Sequence, residues 1–467
     1  MNIKKLAMAA TATTMTASLV AAVPEVTGVT MTQAIDRTVT ITYTLSTAPA
    51  VVTLDVQTNA NTSAAANDPG WTTIGGDAVW NAQGDVWKQV ATGSRTITWR
   101  PDLSWPDHKI VGNGARAVVT AWSLDNTPNY MVVHLDVPSA APNYYPAADY
   151  LPKSSYEQAG GAVTNNAAYK KTKLLMRKIM AKDITWTMGS TASETQRESA
   201  KEAPHQVTLT NNYYIGVFPV TQYQWKLVKP TTADIQTVFT AEVDMRPIEG
   251  ISLVPIRNNG DYVNPSPTAN YYPNPPHESS FLGLLRNKTG IDFELPSEAQ
   301  WEFAARAGNG DGCWGDGSAI KNTDEDENLS RLARYAGTTS AASLVRPLVN
   351  QSEFKATPPA EGGTPIVGSY APNSWGIYDM HGTVLEFCLD WYEANISSYN
   401  GRVNVNPSSP AYNLGGTSDG KRVVKGGSWR TPASDCRPAK RGWLNDTSRR
   451  VDYGDVGFRV VCTAGLK

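Results

Sequence analysis

The side chains best equipped for chemistry are four cysteines, Cys313, Cys388, Cys436 and Cys462, and five histidines, His108, His134, His205, His277 and His381. The histidine spacings do not suggest metal ligation, so each reads as a surface or hydrogen-bonding residue. No Gly-x-Ser-x-Gly elbow occurs, which leaves a serine triad unsupported. The richest stretch is Arg422-Val-Val-Lys-Gly426-Gly427-Ser428-Trp429, followed by Asp435-Cys436-Arg437 and closed by Gly457-Phe458-Arg459-Val460-Val461. Two adjacent glycines between β-rich runs permit a tight turn or a close approach of two backbones. The polar, Arg-rich chain between those runs is longer than structureless connections usually are. It reads either as a disulfide-stapled surface loop or as the floor of a ligand or active site.

The elements that must position this stretch follow from composition and pattern. A chain of 467 residues exceeds one ordinary core and implies two folded domains with a linker. With 41 basic against 43 acidic residues, net −2, no electrostatic footprint for nucleic acid exists. Lys4 and Lys5 precede an apolar or small run, Leu6 to Val20, and Val20-Ala21-Ala22 has the small-residue pattern of a cleavage site. Residues 1–22 therefore read as a signal peptide, making the mature protein exported (periplasmic, secreted or at the cell surface), with no later run long enough to span a bilayer. In an oxidising compartment four cysteines make two disulfides, with three connectivities open.

Residues 23–137 alternate with period two in short runs: Arg37 to Leu45, Val51 to Val56, Arg95 to Trp99, Ala115 to Trp122 and Tyr130 to Val137. Such spacing predicts an all-β sandwich of immunoglobulin or fibronectin type III style. Residues 138–171 read as a Pro/Ala-rich linker. Beyond Thr172, short strands mix with helices, an α+β pattern. The best helix signal is Ser297-Glu-Ala-Gln300-Trp-Glu-Phe-Ala-Ala-Arg306, where Ser297 and Gln300 form a capping box.

Motifs in the second part occur in a familiar order: Trp186-Thr-Met-Gly-Ser190, Tyr213 to Gln222, Arg246 to Ser252, Leu295 to Glu302, Asn373 to Gly382, Glu386 to Trp391, and Gly426 to Val461. Residues 172–467 resemble the formylglycine-generating enzyme, or sulfatase-modifying factor, family. The resemblance implies an α+β domain related to C-type lectins. In active members two cysteines after Gly-Gly-Ser hold copper(I), a soft ion suited to paired thiolates, and oxidise a sulfatase cysteine to formylglycine. The resemblance also implies a calcium site formed by Asp379, Gly382, Val384 and Glu386, as a hard cation needs several oxygens.

The pattern then breaks. Aligned on Gly426-Gly427-Ser428, Cys436 falls at the second family cysteine, but Thr431 holds the first position, so copper is not expected to bind. Asp435 replaces a tyrosine and Leu385 a tryptophan. An active chain would rely on Cys436 and Ser428 as an oxygen-dependent oxidoreductase acting on a sulfatase or another thiol. A silent one would use Trp429, Arg430, Arg437, Arg441, Trp443 and Arg449 to bind a protein or glycan. Glu386 and Asp390 read alternatively as partners of Arg437 or Arg441, and Cys388–Cys436 and Cys313–Cys462 as disulfides.

Overall fold

A computed structural model describes residues 22–75, 78–109, 113–136, 148–149, 166–194, 196–230, 245–258, 274–321, 325–338, 363–399, 403–405, 421–445 and 454–463. All but Ala22 of the predicted signal peptide, most of the predicted linker and Arg449 lie outside these residues.

The N-terminal alternation folds as expected into two packed sheets. In Val39–Ser46 the buried positions are Val39, Ile41, Tyr43 and Leu45, every second residue, so one strand face meets the core. One sheet runs Glu25–Gln33, Val39–Ser46, Gly93–Trp99, Gln83–Gly84. The other is centred on Ala50–Thr58, which pairs in full register with Ala115–Ser123. Val52, Leu54, Ile97 and Trp99 fill the space between them.

The Tyr130 to Val137 run does not close this sandwich. Tyr130–His134 instead pairs antiparallel with Lys173–Ile179, in a sheet ordered Ala148–Asp149, Tyr130–His134, Lys173–Ile179, Tyr213–Gly216, Val461–Thr463. All five of its residues are buried, which suits the interior of a sheet covered on both faces rather than a half-exposed edge. The predicted linker also carries structure at both ends: Ala148–Asp149 joins that sheet, and Ala168–Lys171 is a short helix. The two parts share one core, because Val51 and Trp87 pack in the same cluster as Met131, Tyr214, Trp225 and Phe458. Trp87 meets Tyr214 edge-on at 6.3 Å.

The predicted Ser297–Arg306 helix forms where its cap places it, and two further helices are capped in the same way. Thr221 caps Gln222–Val228, Ser280 caps Phe281–Thr289, and Ser297 with Gln300 makes the capping box of Glu298–Arg306. Trp225, Phe281 and Phe458 interlock as stacked and edge-on rings, joining two helices to the chain's last strands. A four-stranded sheet, ordered Gly442–Asn445, Lys421–Lys425, Leu385–Trp391, Val456–Gly457, lies against Glu298–Arg306. It carries the Gly426-Gly427 turn.

Tyr214 fixes the crossover between the two parts by donating its hydroxyl to Pro128 O and hydrogen-bonding the Thr127 hydroxyl at 3.0 Å. Tyr214→Phe should cost about 1–2 kcal/mol in denaturant unfolding, because it leaves a buried acceptor without its donor. An unchanged midpoint would contradict this role.

Candidate functional site

The turn under the C-terminal loop exists because both residues lack a Cβ. Gly427 sits at φ 70°, and a Cβ there would lie 2.6 Å from Cys436 Sγ and 2.8 Å from Thr431 Oγ1. Thr431 Oγ1 accepts from the Ser428 backbone N–H at 2.8 Å and donates to Ser428 O at 3.2 Å, closing the loop on itself. Its oxygen lies 3.7 Å from Cys436 Sγ. Cys436 is wholly buried, and burial pushes its thiol up to about 12, against a weaker lowering by the Thr431 hydrogen bond. Thr431 and Cys436 are thus brought together as a hydroxyl and a protonated thiol. This donor set does not fit copper(I), which needs soft thiolates.

Ser428 is also buried, 3.5 Å from Asp455 Oδ2. Behind Cys436, His381 accepts from Gly315 N–H at Nε2 (3.1 Å), so Nδ1 carries the proton it donates to Cys436 O (2.9 Å). Burial pushes His381 down to about 4, leaving it neutral. Of the two roles expected for the histidines, surface or hydrogen-bonding, His381 has the second, in a buried position.

None of the four thiols is bonded. The proposed Cys388–Cys436 pair does not form: Cys388 faces a cluster with Trp301 and Val423, whereas Cys436 packs with Trp314 and Leu332. Cys462 lies on the Val461–Thr463 strand and Cys313 in a loop bridged to Ala319, also unpaired.

The charged residues beneath the loop are matched internally. Glu386 receives Arg459 Nε and Nη2, both at 2.6 Å, and Trp301 Nε1 at 2.7 Å. Glu386 therefore pairs with Arg459, neither Arg437 nor Arg441. Asp390 accepts the Glu298 N–H at 2.6 Å, at a helix N-terminus where negative charge is favoured, and its charge also supports Arg441. Lys425, fully buried, donates to Glu302 at 3.0 Å, and Arg306 grips the other Glu302 oxygen. Burial alone would raise Glu302, but Lys425 and Arg306 outweigh it and hold the carboxyl at about 2.

The calcium residues do not fit a calcium ion. Both Glu386 oxygens are taken by a guanidinium and an indole, and a cation there would have to displace Arg459. Asp379 Oδ2 accepts the Gly368 N–H at 2.7 Å, and burial raises its carboxyl to about 6. Gly382 (φ 72°) is needed for close backbone approach, since a Cβ would meet Arg334 O at 2.2 Å, and Val384 is a core residue.

Most of the predicted ligand-binding residues also face inward. Trp429 is buried and donates Nε1 to Gly454 O at 3.0 Å, while Arg430 is buried beside it. Arg437, fully buried, binds Glu202 through two 2.9 Å bonds and also contacts Glu194. Arg441 makes a bidentate pair with Glu298 (2.6 and 3.0 Å). Asp435, where tyrosine was expected, neutralises Lys440 at 3.0 Å. Trp443 alone of the described set remains half-exposed, with Lys421 Nζ 4.2 Å above its ring and Tyr392 at 6.4 Å. Sequence reasoning missed Lys425, Glu302 and Arg459; the i, i+4 spacing of Glu302 and Arg306 was a visible signal.

Residues 176–464, more than half of the chain, match the sulfatase-modifying factor enzyme 1-like domain (FGE-sulfatase), and the chain belongs to that family. It is similar to the formylglycine-generating enzyme of Streptomyces coelicolor, at 30% identity over 177 residues covering 37% of this chain and 47% of that enzyme. It is also similar to serine/threonine-protein kinase pkn1 of Chlamydia pneumoniae, at 24% identity over 254 residues covering 54% of this chain and 34% of the kinase. The chain thus spans a third to a half of the length of these relatives. Among solved structures, Treponema denticola variable protein 1 superposes with TM-score 0.41 and 22% identity, covering 62% of this chain and 96% of that chain.

Glu386→Gln keeps the shape but removes the charge opposite a fully buried Arg459. It should cost about 3–5 kcal/mol in denaturant unfolding. Calcium should leave the wild-type melting temperature unchanged relative to chelator. A saturable calcium stabilisation would contradict the assignment of Glu386 to Arg459.

Proposed function

We propose that this chain is an exported member of the sulfatase-modifying factor family that serves as a binding module. It does not generate formylglycine by the two-thiolate copper route. The observation that carries the reading is Thr431 opposite Cys436: the hydroxyl is spent on the Ser428 backbone, and the thiol beside it is buried and protonated. Oxygen activation on copper(I) needs a second soft ligand that this loop lacks.

The reading includes a C-type-lectin-like architecture for the C-terminal domain, 172–467, and an immunoglobulin- or fibronectin-like role for the N-terminal sandwich. Among the described residues, recognition then falls to the half-exposed Trp443, flanked by Lys421 and Tyr392. An aromatic face beside a cation suits stacking on a sugar ring or an aromatic side chain, so the ligand class is a glycan or a protein surface. No membrane partner is invoked, and among the described residues no helix is long and apolar enough to cross a bilayer.

The test compares wild type with Thr431→Cys in copper(I) competition titrations and in oxygen uptake with a cysteine peptide of sulfatase type. Wild type should neither bind copper(I) tightly nor consume oxygen. Thr431→Cys should gain copper(I) binding, because the replaced oxygen lies 3.7 Å from Cys436 Sγ. Copper-dependent oxygen uptake by the wild type would overturn the proposal and favour an oxidoreductase using Cys436.

A further inference from the structure

The segment 191–202 crosses beside the C-terminal loop and supplies most of the acid that holds it. Glu194 and Glu202 clamp Arg437, Glu198 lies 3.3 Å from Lys440, and Lys201 O accepts from Arg441 at 3.2 Å. Among these carboxylates Glu194 is unusual. One oxygen meets Arg437, the other accepts the Gly312 N–H at 3.1 Å, and the group also hydrogen-bonds the carboxyl of Asp311. Asp311 Oδ2 accepts the Thr191 N–H at 2.8 Å and its hydroxyl, whereas its buried Oδ1 receives no N–H or O–H from the described residues. Two carboxyl groups in hydrogen-bonding contact cannot both ionise without strong repulsion, and a single proton between them satisfies the orphan oxygen.

We propose that Glu194 and Asp311 share one proton and act as a pH-sensitive clasp. The clasp fastens the 191–202 segment over the C-terminal loop in acid and loosens it as the pair ionises. Among the described residues, the charged groups facing the pair come from three elements. Arg437 comes from the C-terminal loop, Arg306 from the Glu298–Arg306 helix, and Glu202 from the segment itself, sharing Arg437 with Glu194. Glu302 is screened by its own pairs with Arg306 and Lys425. Burial, with the Asp311 hydrogen bond adding to it, pushes Glu194 up to about 7, against the pull of Arg437. Asp311 is lowered despite its own burial, by the hydrogen bonds from Glu194 and Thr191.

The sign follows from linkage. The clasped state holds a proton that an opened segment releases near the ordinary carboxylate range. Closure is therefore fully favoured in acid and weakens as pH rises through about 7. The loop whose access would change carries Arg437, next to Cys436.

The test is hydrogen exchange of the 191–202 peptides in the full chain, corrected for intrinsic exchange rates. Wild-type protection should fall by roughly tenfold or more between about pH 5.5 and pH 8.5. Glu194→Gln, whose amide can donate to Asp311 at every pH, should keep acid-like protection throughout. Wild-type protection independent of pH, or the same pH dependence in Glu194→Gln, would overturn the clasp. Infrared spectroscopy gives a second measurement, as a difference between wild type and Glu194→Gln that cancels the other raised carboxyl, Asp379. A protonated-carboxyl band near pH 6 that is lost by pH 8.5 in the wild type and is missing from Glu194→Gln supports the proposal, and an identical band in both proteins overturns it.

Discussion

The structure depends on burying ionised side chains only where their partners are already fixed. Glu386 with Arg459, Glu302 with Lys425 and Arg306, Glu298 with Arg441, and Glu202 with Arg437 are all removed from water. Losing water costs several kcal/mol per ion, so each pair is tolerated only with close geometry and further hydrogen bonds. These pairs cross large sequence distances, from the 191–202 segment and the Glu298–Arg306 helix to the last strands. They specify one arrangement of long connections that few regular elements would otherwise hold. The cost is that charges drawn into the lattice are withdrawn from recognition.

That withdrawal decides the chemistry available at the loop. Family members are imagined most readily through two thiolates, yet here the loop closes on Thr431 hydrogen bonds and a protonated Cys436. Thr383, a β-branched residue at φ 66°, and Asp379 at φ 58° lie in the segment packed under it. Non-glycine residues persist in that region only when their surroundings impose it. Trp429 N–H bonding to Thr383 O and Thr383 N–H bonding to Arg334 O supply that imposition.

Much of the fold was legible in the sequence because its signals are local. Period-two alternation placed Val39–Ser46 and Ala115–Ser123, and the Ser297–Gln300 capping box announced the Glu298–Arg306 helix. What could not be read was partnership. Nothing local distinguishes the strand Tyr130–His134, which pairs across the boundary with Lys173–Ile179, from its neighbours in the sandwich. Nor does an arginine's type reveal whether it meets water or a carboxylate more than two hundred residues away, as Arg437 meets Glu194. The disulfide expectation failed for the same reason: Cys388 and Cys436 are close in motif order but pack in separate clusters.

The account stands most directly on the state of Cys436. Native protein, purified without reductant, would be treated with a small alkylating agent at neutral pH, and each cysteine mapped by mass spectrometry before and after unfolding. The structure predicts that Cys436 is unbonded, resists alkylation while folded, and is modified once the chain unfolds. Rapid alkylation of Cys436 in the native protein, or its recovery in a disulfide, would contradict the closed, protonated loop.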